Sequence, residues 1–195
     1  ISNPSSPILV GSVPTGSVKN VYVQGRYLYA TTSLSDSFSV FDVSDPTNPI
    51  LTGSLSLTVN SSPSGLFVKD RYAYITQANS NILRVIDISD PTVPVSVGTV
   101  ATGTTPLKVF VQDRYAYVAN SATSNNFQIF DISTPTAPAL IATASTDTAN
   151  QVSDVYVQDR YAYVAKSFSG IQVFDVSNAS APVSKGSIPL SSAYH

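Results

Sequence analysis

Apolar residues along this chain come in short runs rich in Val, Ile, Tyr and Phe, divided by Gly, Asp, Asn, Ser and Pro. In the last quarter the runs are Asp154–Gln158, Tyr161–Lys166, Ile171–Val176 and Val183–Ile188. Runs of this length and composition, bounded by turn residues, predict β-strands. Neighbouring positions such as Val155, Tyr156 and Val157 are apolar together. A sheet with one wet face would alternate, so both faces of this sheet are expected to be covered. No stretch carries the 3.6-residue periodicity of an amphipathic helix, and the chain reads as all-β.

The runs repeat. The phrase V-[YF]-V-Q-[GD]-R-Y-x-Y starts at Val21, Val109 and Val155, and in altered form at Leu66, where Lys69 takes the fourth place. A second phrase, [FI]-D-[VI]-S, places its Asp at Asp42, Asp87, Asp131 and Asp175. Each period of about 44 residues therefore holds four strands, which fits a β-propeller blade of ~40–50 residues. Tandem immunoglobulin-like domains would need ~100 residues each. Blade repeats fall at about 14–55, 56–100, 101–144 and 145–188 of a single domain or propeller segment spanning 1–195. Ile8–Val13 matches a fourth strand whose first three are missing, so a seventeenth, orphan outer strand is expected. That surplus reads as part of a larger propeller; closure by a second copy through open edges is the other option. The start at Ile1 also suggests a processed or excised piece.

Turn chemistry supports the hairpins. Gly25, Asp70, Asp113 and Asp159 each precede an Arg, and Gly exchanging with Asp marks a positive φ in a two-residue turn. Asp45, Asp90, Thr134 and Asn178 share one place in the turns SDPTNP, SDPTVP, STPTAP and SNASAP, where a side chain can close onto the backbone.

The segments SVFDVSDPTNP, RVIDISDPTVP, QIFDISTPTAP and QVFDVSNASAP, each following an RYxY hairpin, resemble the LVIVD-repeat family. The resemblance covers essentially the whole chain. It implies a β-propeller, often on or outside bacterial and archaeal cells, and brings no shared catalytic residues.

The two turn types lie at one end of every blade and hardly change. Loops at the other end differ in length and content: TTSLSDS, QANSN, NSATSNN and SFSG between second and third strands. Binding residues favour loops carried on a rigid scaffold, so the variable end is the expected binding face. One aligned position, Asn20, Gly65, Lys108, Asp154 and His195, is expected to ring the channel mouth there. Asn20, Lys108, Asp154, Lys166 and His195 are the candidate ligand-binding residues. The repeated Arg and Asp are expected to pair with each other, Arg26 with Asp42 and so on, and the RYxY tyrosines to be core.

Charge narrows the function classes. Charged residues are only 11% of the chain, net −2, without the basic stripe that nucleic acid requires. No apolar run is long enough to insert in a membrane. Zero Cys excludes disulfides and thiolate metal sites. The only His is His195, no metal or phosphate-binding motif occurs, and a triad has no positioned His. No cofactor and no catalytic residue are expected. Few Lys, no Glu, no Met and abundant Ser and Thr suggest an extracellular or cell-surface prokaryotic protein. The expected function is a non-catalytic module binding a protein or glycan, or alternatively an assembly repeat of a surface filament.

Overall fold

The structure is a computed structural model, and it describes residues 5–122, 124–146, 151–167 and 169–189. These form four four-stranded antiparallel sheets. Blade 1 holds β1 (Val18–Gln24), β2 (Tyr27–Thr32), β3 (Ser37–Asp42) and β4 (Ile50–Ser56). Blade 2 holds β5 (Pro63–Lys69), β6 (Tyr72–Gln77), β7 (Ile82–Asp87) and β8 (Val95–Ala101). Blade 3 holds β9 (Pro106–Gln112), β10 (Tyr115–Asn120), β11 (Phe127–Asp131) and β12 (Ala139–Ala144). Blade 4 holds β13 (Val152–Gln158), β14 (Tyr161–Lys166), β15 (Gly170–Asp175) and β16 (Val183–Ile188). Inside each blade the strands pair in sequence order, a meander with nothing but short turns between neighbours. The fold is β-propeller-like.

The hairpin turns are as the Gly–Asp exchange predicts. Gly25, Asp70, Asp113 and Asp159 have φ of 60°, 54°, 54° and 55°. The Arg that follows each has no positive φ, which is the type II′ pattern. In the longer turns, Asp45 Oδ1 accepts from Thr47 N at 2.9 Å and Asp90 Oδ1 from Thr92 N at 2.9 Å. Asn178 Oδ1 accepts from Ser180 N at 3.3 Å. All four turns also close through the backbone, as where Asn48 N donates to Asp45 O at 3.1 Å and Ala137 N to Thr134 O at 2.9 Å, and the turn at Thr134 rests on that bond.

The core lies between blades rather than inside any one of them. Tyr29, Phe38 and Val40 of blade 1 pack with Val68, Ala73, Ile75 and Ile86 of blade 2. Tyr74, Leu83 and Val85 of blade 2 pack with Val109, Val111, Ala116 and Phe130 of blade 3. Tyr117, Phe127 and Ile129 of blade 3 pack with Val155, Val157, Ala162 and Phe174 of blade 4. This explains why adjacent strand positions are apolar: alternate residues serve opposite neighbours. Accordingly β1 packs on β5, β5 on β9 and β9 on β13.

Ile8–Val13 is not a strand. Strand structure requires a partner ladder, and among the described residues no third strand lies beside this segment; Ile8 and Leu9 remain exposed. It nevertheless takes an outer strand's seat. A Cβ on Gly11 would come within 2.2 Å of Pro46 O, as one on Gly53 would come within 2.3 Å of Pro91 O and one on Gly98 within 2.2 Å of Pro135 O. The fourth strands of blades 1 and 2 thus bear on the Pro turn of the next blade, and only Gly permits that approach. Blade 3 has Ala142 at this position, and there the facing turn carries Ala179 in place of Pro.

Candidate functional site

At the turn end one arrangement recurs four times. Arg26, Arg71, Arg114 and Arg160 pair with Asp42, Asp87, Asp131 and Asp175, as expected from the sequence. Each guanidinium also lies over the ring of the following Tyr, 5.2 to 5.4 Å from its centroid. The other carboxylate oxygen caps the next turn, with Ser44, Ser89, Ser133 and Ser177 donating their backbone N–H. The Arg71 guanidinium and Ser89 together pull the Asp87 carboxyl down to about 2. Asp42 and Asp175 are held below the usual carboxylate range by Arg26 and Arg160 and then by Ser44 and Ser177. Asp131 is lowered first by Ser133 and then by Arg114. The same end stitches blades together: Gln24 Nε2, Lys69 Nζ and Gln112 Nε2 each donate at 2.7 Å to the carbonyl of Asp70, Asp113 or Asp159 in the next blade. These charges are structural.

The loop end is built on a shared distortion. Each inner strand carries a register irregularity just before the aligned position, between Val18 and Asn20, Pro63 and Gly65, Pro106 and Lys108, and Val152 and Asp154. A bulge re-aims the side chain that follows it. A Cβ at Gly65 would lie 2.9 Å from Lys108 Cα, so glycine lets blades 2 and 3 close up at the mouth. With blade 2 thin at that point, Lys108 Nζ reaches across it and donates to Asn20 Oδ1 at 3.1 Å, 88 residues away in sequence. Asn20 Nδ2 donates to Ser64 O at 3.0 Å and to Thr31 Oγ1 at 3.2 Å, and Ser64 Oγ bonds to Pro106 O. Three blades therefore meet in one polar network, with Lys108 facing an amide oxygen.

The other candidates lie apart from it. Asp154 is exposed, and its Oδ1 accepts from its own neighbour Val155 N at 2.8 Å. It borders a hollow of about 190 Å³ on the open face of blade 4, with Tyr156, Tyr163 and Ile171. Lys166, expected on the rim, is instead buried, only 5% exposed. The reason is positional: Thr32, Gln77 and Asn120 occupy the same place at the end of the second strand, and all are buried. His195 lies outside the described residues.

Sequence reasoning missed the layer to which Lys166 belongs. Thr32 Oγ1 bonds to Ser37 Oγ at 2.8 Å, Arg84 Nε donates to Gln77 Oε1 at 2.8 Å, and Asn120 Nδ2 donates to Gln128 Oε1 at 3.0 Å. Arg84 also donates to Ser96 Oγ and Thr58 Oγ1, all neutral partners, and burial lowers its pKa. Asp36, in the loop TTSLSDS, is buried at the loop end, accepting from Ser61 Oγ and Ser62 N. The signal that could have found this layer is the polar residue closing every second strand. Among the described residues no cluster of His, Cys, Asp or Glu could hold a metal ion, and no helix is long and apolar enough to cross a membrane.

The repeat described as LVIVD matches residues 1–15, 15–56, 62–102, 107–146 and 149–189. The chain belongs to the LVIVD-repeat family. The partial match over 1–15 agrees with the outer-strand seat taken by Gly11. No curated protein matches the chain. Among solved structures it is similar to a candidate 6-phosphogluconolactonase from Bacteroides fragilis, at a TM-score of 0.75 and 18% identity, over 89% of this chain and 55% of that one. A protein from Lactobacillus plantarum is similar at 0.73 and 14%, over 84% and 54%. A computationally designed protein is similar at 0.68 and 11%, over 87% and 98%. At these identities the likeness shows the fold alone, and the LVIVD chain spans about half the length of the two bacterial proteins.

Proposed function

We propose that this LVIVD-repeat chain is a non-catalytic β-propeller module, displayed outside a prokaryotic cell, that binds a glycan or protein partner through its variable-loop face. The observation that carries the reading is the convergence of Lys108, Asn20 and Ser64, from three blades, at the loop end. There a lysine amine faces a neutral amide, whereas the turn-end arginines are each matched by a carboxylate. Amide, hydroxyl and amine groups held on a rigid frame suit a partner rich in hydroxyls. A second hollow of about 420 Å³ at the loop end of blade 3, lined by Gly103, Thr104, Ala122, Ser124 and Asn125, adds small polar surface. The scarcity of charge and of Lys and Glu supports the external location.

A glycan array probed with the chain and with Lys108→Ala tests this. Selective binding of one glycan class, lost in the variant, is the expected result. Equal binding by both would overturn it. Turnover of 6-phosphogluconolactone, the activity suggested by the name of the Bacteroides neighbour, would overturn the non-catalytic part.

A further inference from the structure

Three blade-to-blade interfaces join four blades, and each uses the same parts. Leu66 and Val68, Val109 and Val111, and Val155 and Val157 present the inner strand to the preceding blade, where all but the partly covered Leu66 are buried. Their counterparts in blade 1, Val21 and Val23, are 60% and 57% exposed. The central tyrosine of each second strand faces the following blade: Tyr29, Tyr74 and Tyr117 are at most 4% exposed, but Tyr163 is 40% exposed. Along the inner strands Tyr22, Phe67, Phe110 and Tyr156 form a ladder with ring centroids 5.1, 4.9 and 4.8 Å apart. Tyr156 is its open end, with Tyr22 at the other. Gln158 is exposed where Gln24 and Gln112 each reach the carbonyl of the next turn, and the Gly25 carbonyl is the acceptor of that kind that no blade reaches among the described residues. Gly186 occupies the place of Gly53 and Gly98, yet a Cβ there would meet nothing within 4 Å. The turn it would suit, one with Pro, is the kind that blade 1 carries at Pro46.

Each piece that the face of blade 4 lacks is thus present on blade 1. We propose that two copies of this chain associate head to tail, blade 4 of each against blade 1 of the other, closing a two-fold pair. The contact is the internal interface repeated between molecules, so it is specific, and two-fold symmetry satisfies both open faces of both copies. In the single chain the seat on Pro46 and Thr47 is held by Gly11. The incoming β16 displaces residues 8–13 from it. That exchange is favourable because the segment has no strand partner and leaves Ile8 and Leu9 in solvent, whereas β16 arrives as part of a complete sheet that covers Val21 and Val23.

Sedimentation equilibrium and light scattering of the 195-residue chain test the pair. The expected mass at high concentration is twice the chain's 20.6 kDa. Val23→Lys and Tyr156→Lys each alter an exposed residue on one face only, leave folding intact by circular dichroism, and should each run as a single chain. Mixed in equal amounts, the two variants should pair less tightly than the unaltered chain, because only one of the two contacts then joins two intact faces and the other sets lysine against lysine. A chain lacking residues 1–13 should pair more tightly. A single-chain mass at every concentration, growth beyond twice the mass, pairing by either variant as tight as that of the unaltered chain, or weaker pairing after the deletion would each overturn the proposal.

Discussion

The turn end and the loop end of each blade use their polar groups in opposite ways. At the turn end the same Arg, Asp and Tyr meet in the same geometry in all four blades, and even the Ser that caps each Asp is repeated. At the loop end the geometry repeats and the chemistry does not. The bulge before the mouth position recurs, but it aims Asn20, Gly65, Lys108 or Asp154. The buried place closing the second strand recurs, but it holds Thr32, Gln77, Asn120 or Lys166. A repeat protein of this kind fixes its frame at one end and is free to differentiate at the other. Conformity marks the structural end, and divergence on a constant backbone marks the end where recognition can develop.

The largest effect should come from the core that both ends share. Phe127 is fully buried between blades 3 and 4, and Phe127→Ala should cost about 3–5 kcal/mol in urea denaturation. Gly53→Ala should follow at about 1–3 kcal/mol, because the added Cβ would lie 2.3 Å from Pro91 O. A neutral outcome there would break the account of how the turn end locks one blade to the next.

Acid should weaken the turn end selectively. The folded-state pKa values of Asp42, Asp87, Asp131 and Asp175 lie below the usual carboxylate value, so their stabilisation is present above about pH 4 and is lost as pH falls through the lowered values, about 2 for Asp87. Melting temperature should hold steady near neutrality and drop over that acid range, and Asp87→Asn should flatten the drop. At high pH the sign reverses: burial pushes Tyr74 and Tyr117 up to about 12, so what they contribute is intact below about pH 10 and lost above it. Lys108→Ala should give the smallest effect on stability, within about 0.5 kcal/mol by the same denaturation.

Much of this frame is legible in the sequence because turns encode their own backbone. Gly25 exchanging with Asp70, Asp113 and Asp159 declares a positive φ without reference to anything distant. Strand bounds follow closely, with Tyr161–Lys166 and Val183–Ile188 unchanged and the inner strand of blade 4 beginning two residues earlier, at Val152. The pairing of Arg26 with Asp42 follows from their shared end of the hairpin. Ile8–Val13 shows the limit of composition: its residues suit a strand, but a strand exists only with a neighbour. Lys166 shows a second limit, since a lysine at a strand end reads as surface until the layer around it is known. The contact of Lys108 with Asn20 was legible as a shared position and not as a touch, because the closeness of blades 1 and 3 depends on how blade 2 thins at Gly65.

The most direct measurement compares one variant from each end on the same glycan array and in the same thermal melt. Lys108→Ala should lose selective binding with its melting temperature unchanged, while Arg71→Ala should keep the binding profile and melt earlier. If Arg71→Ala alters the profile and Lys108→Ala does not, recognition belongs to the constant end and the division of labour drawn between the two ends is wrong.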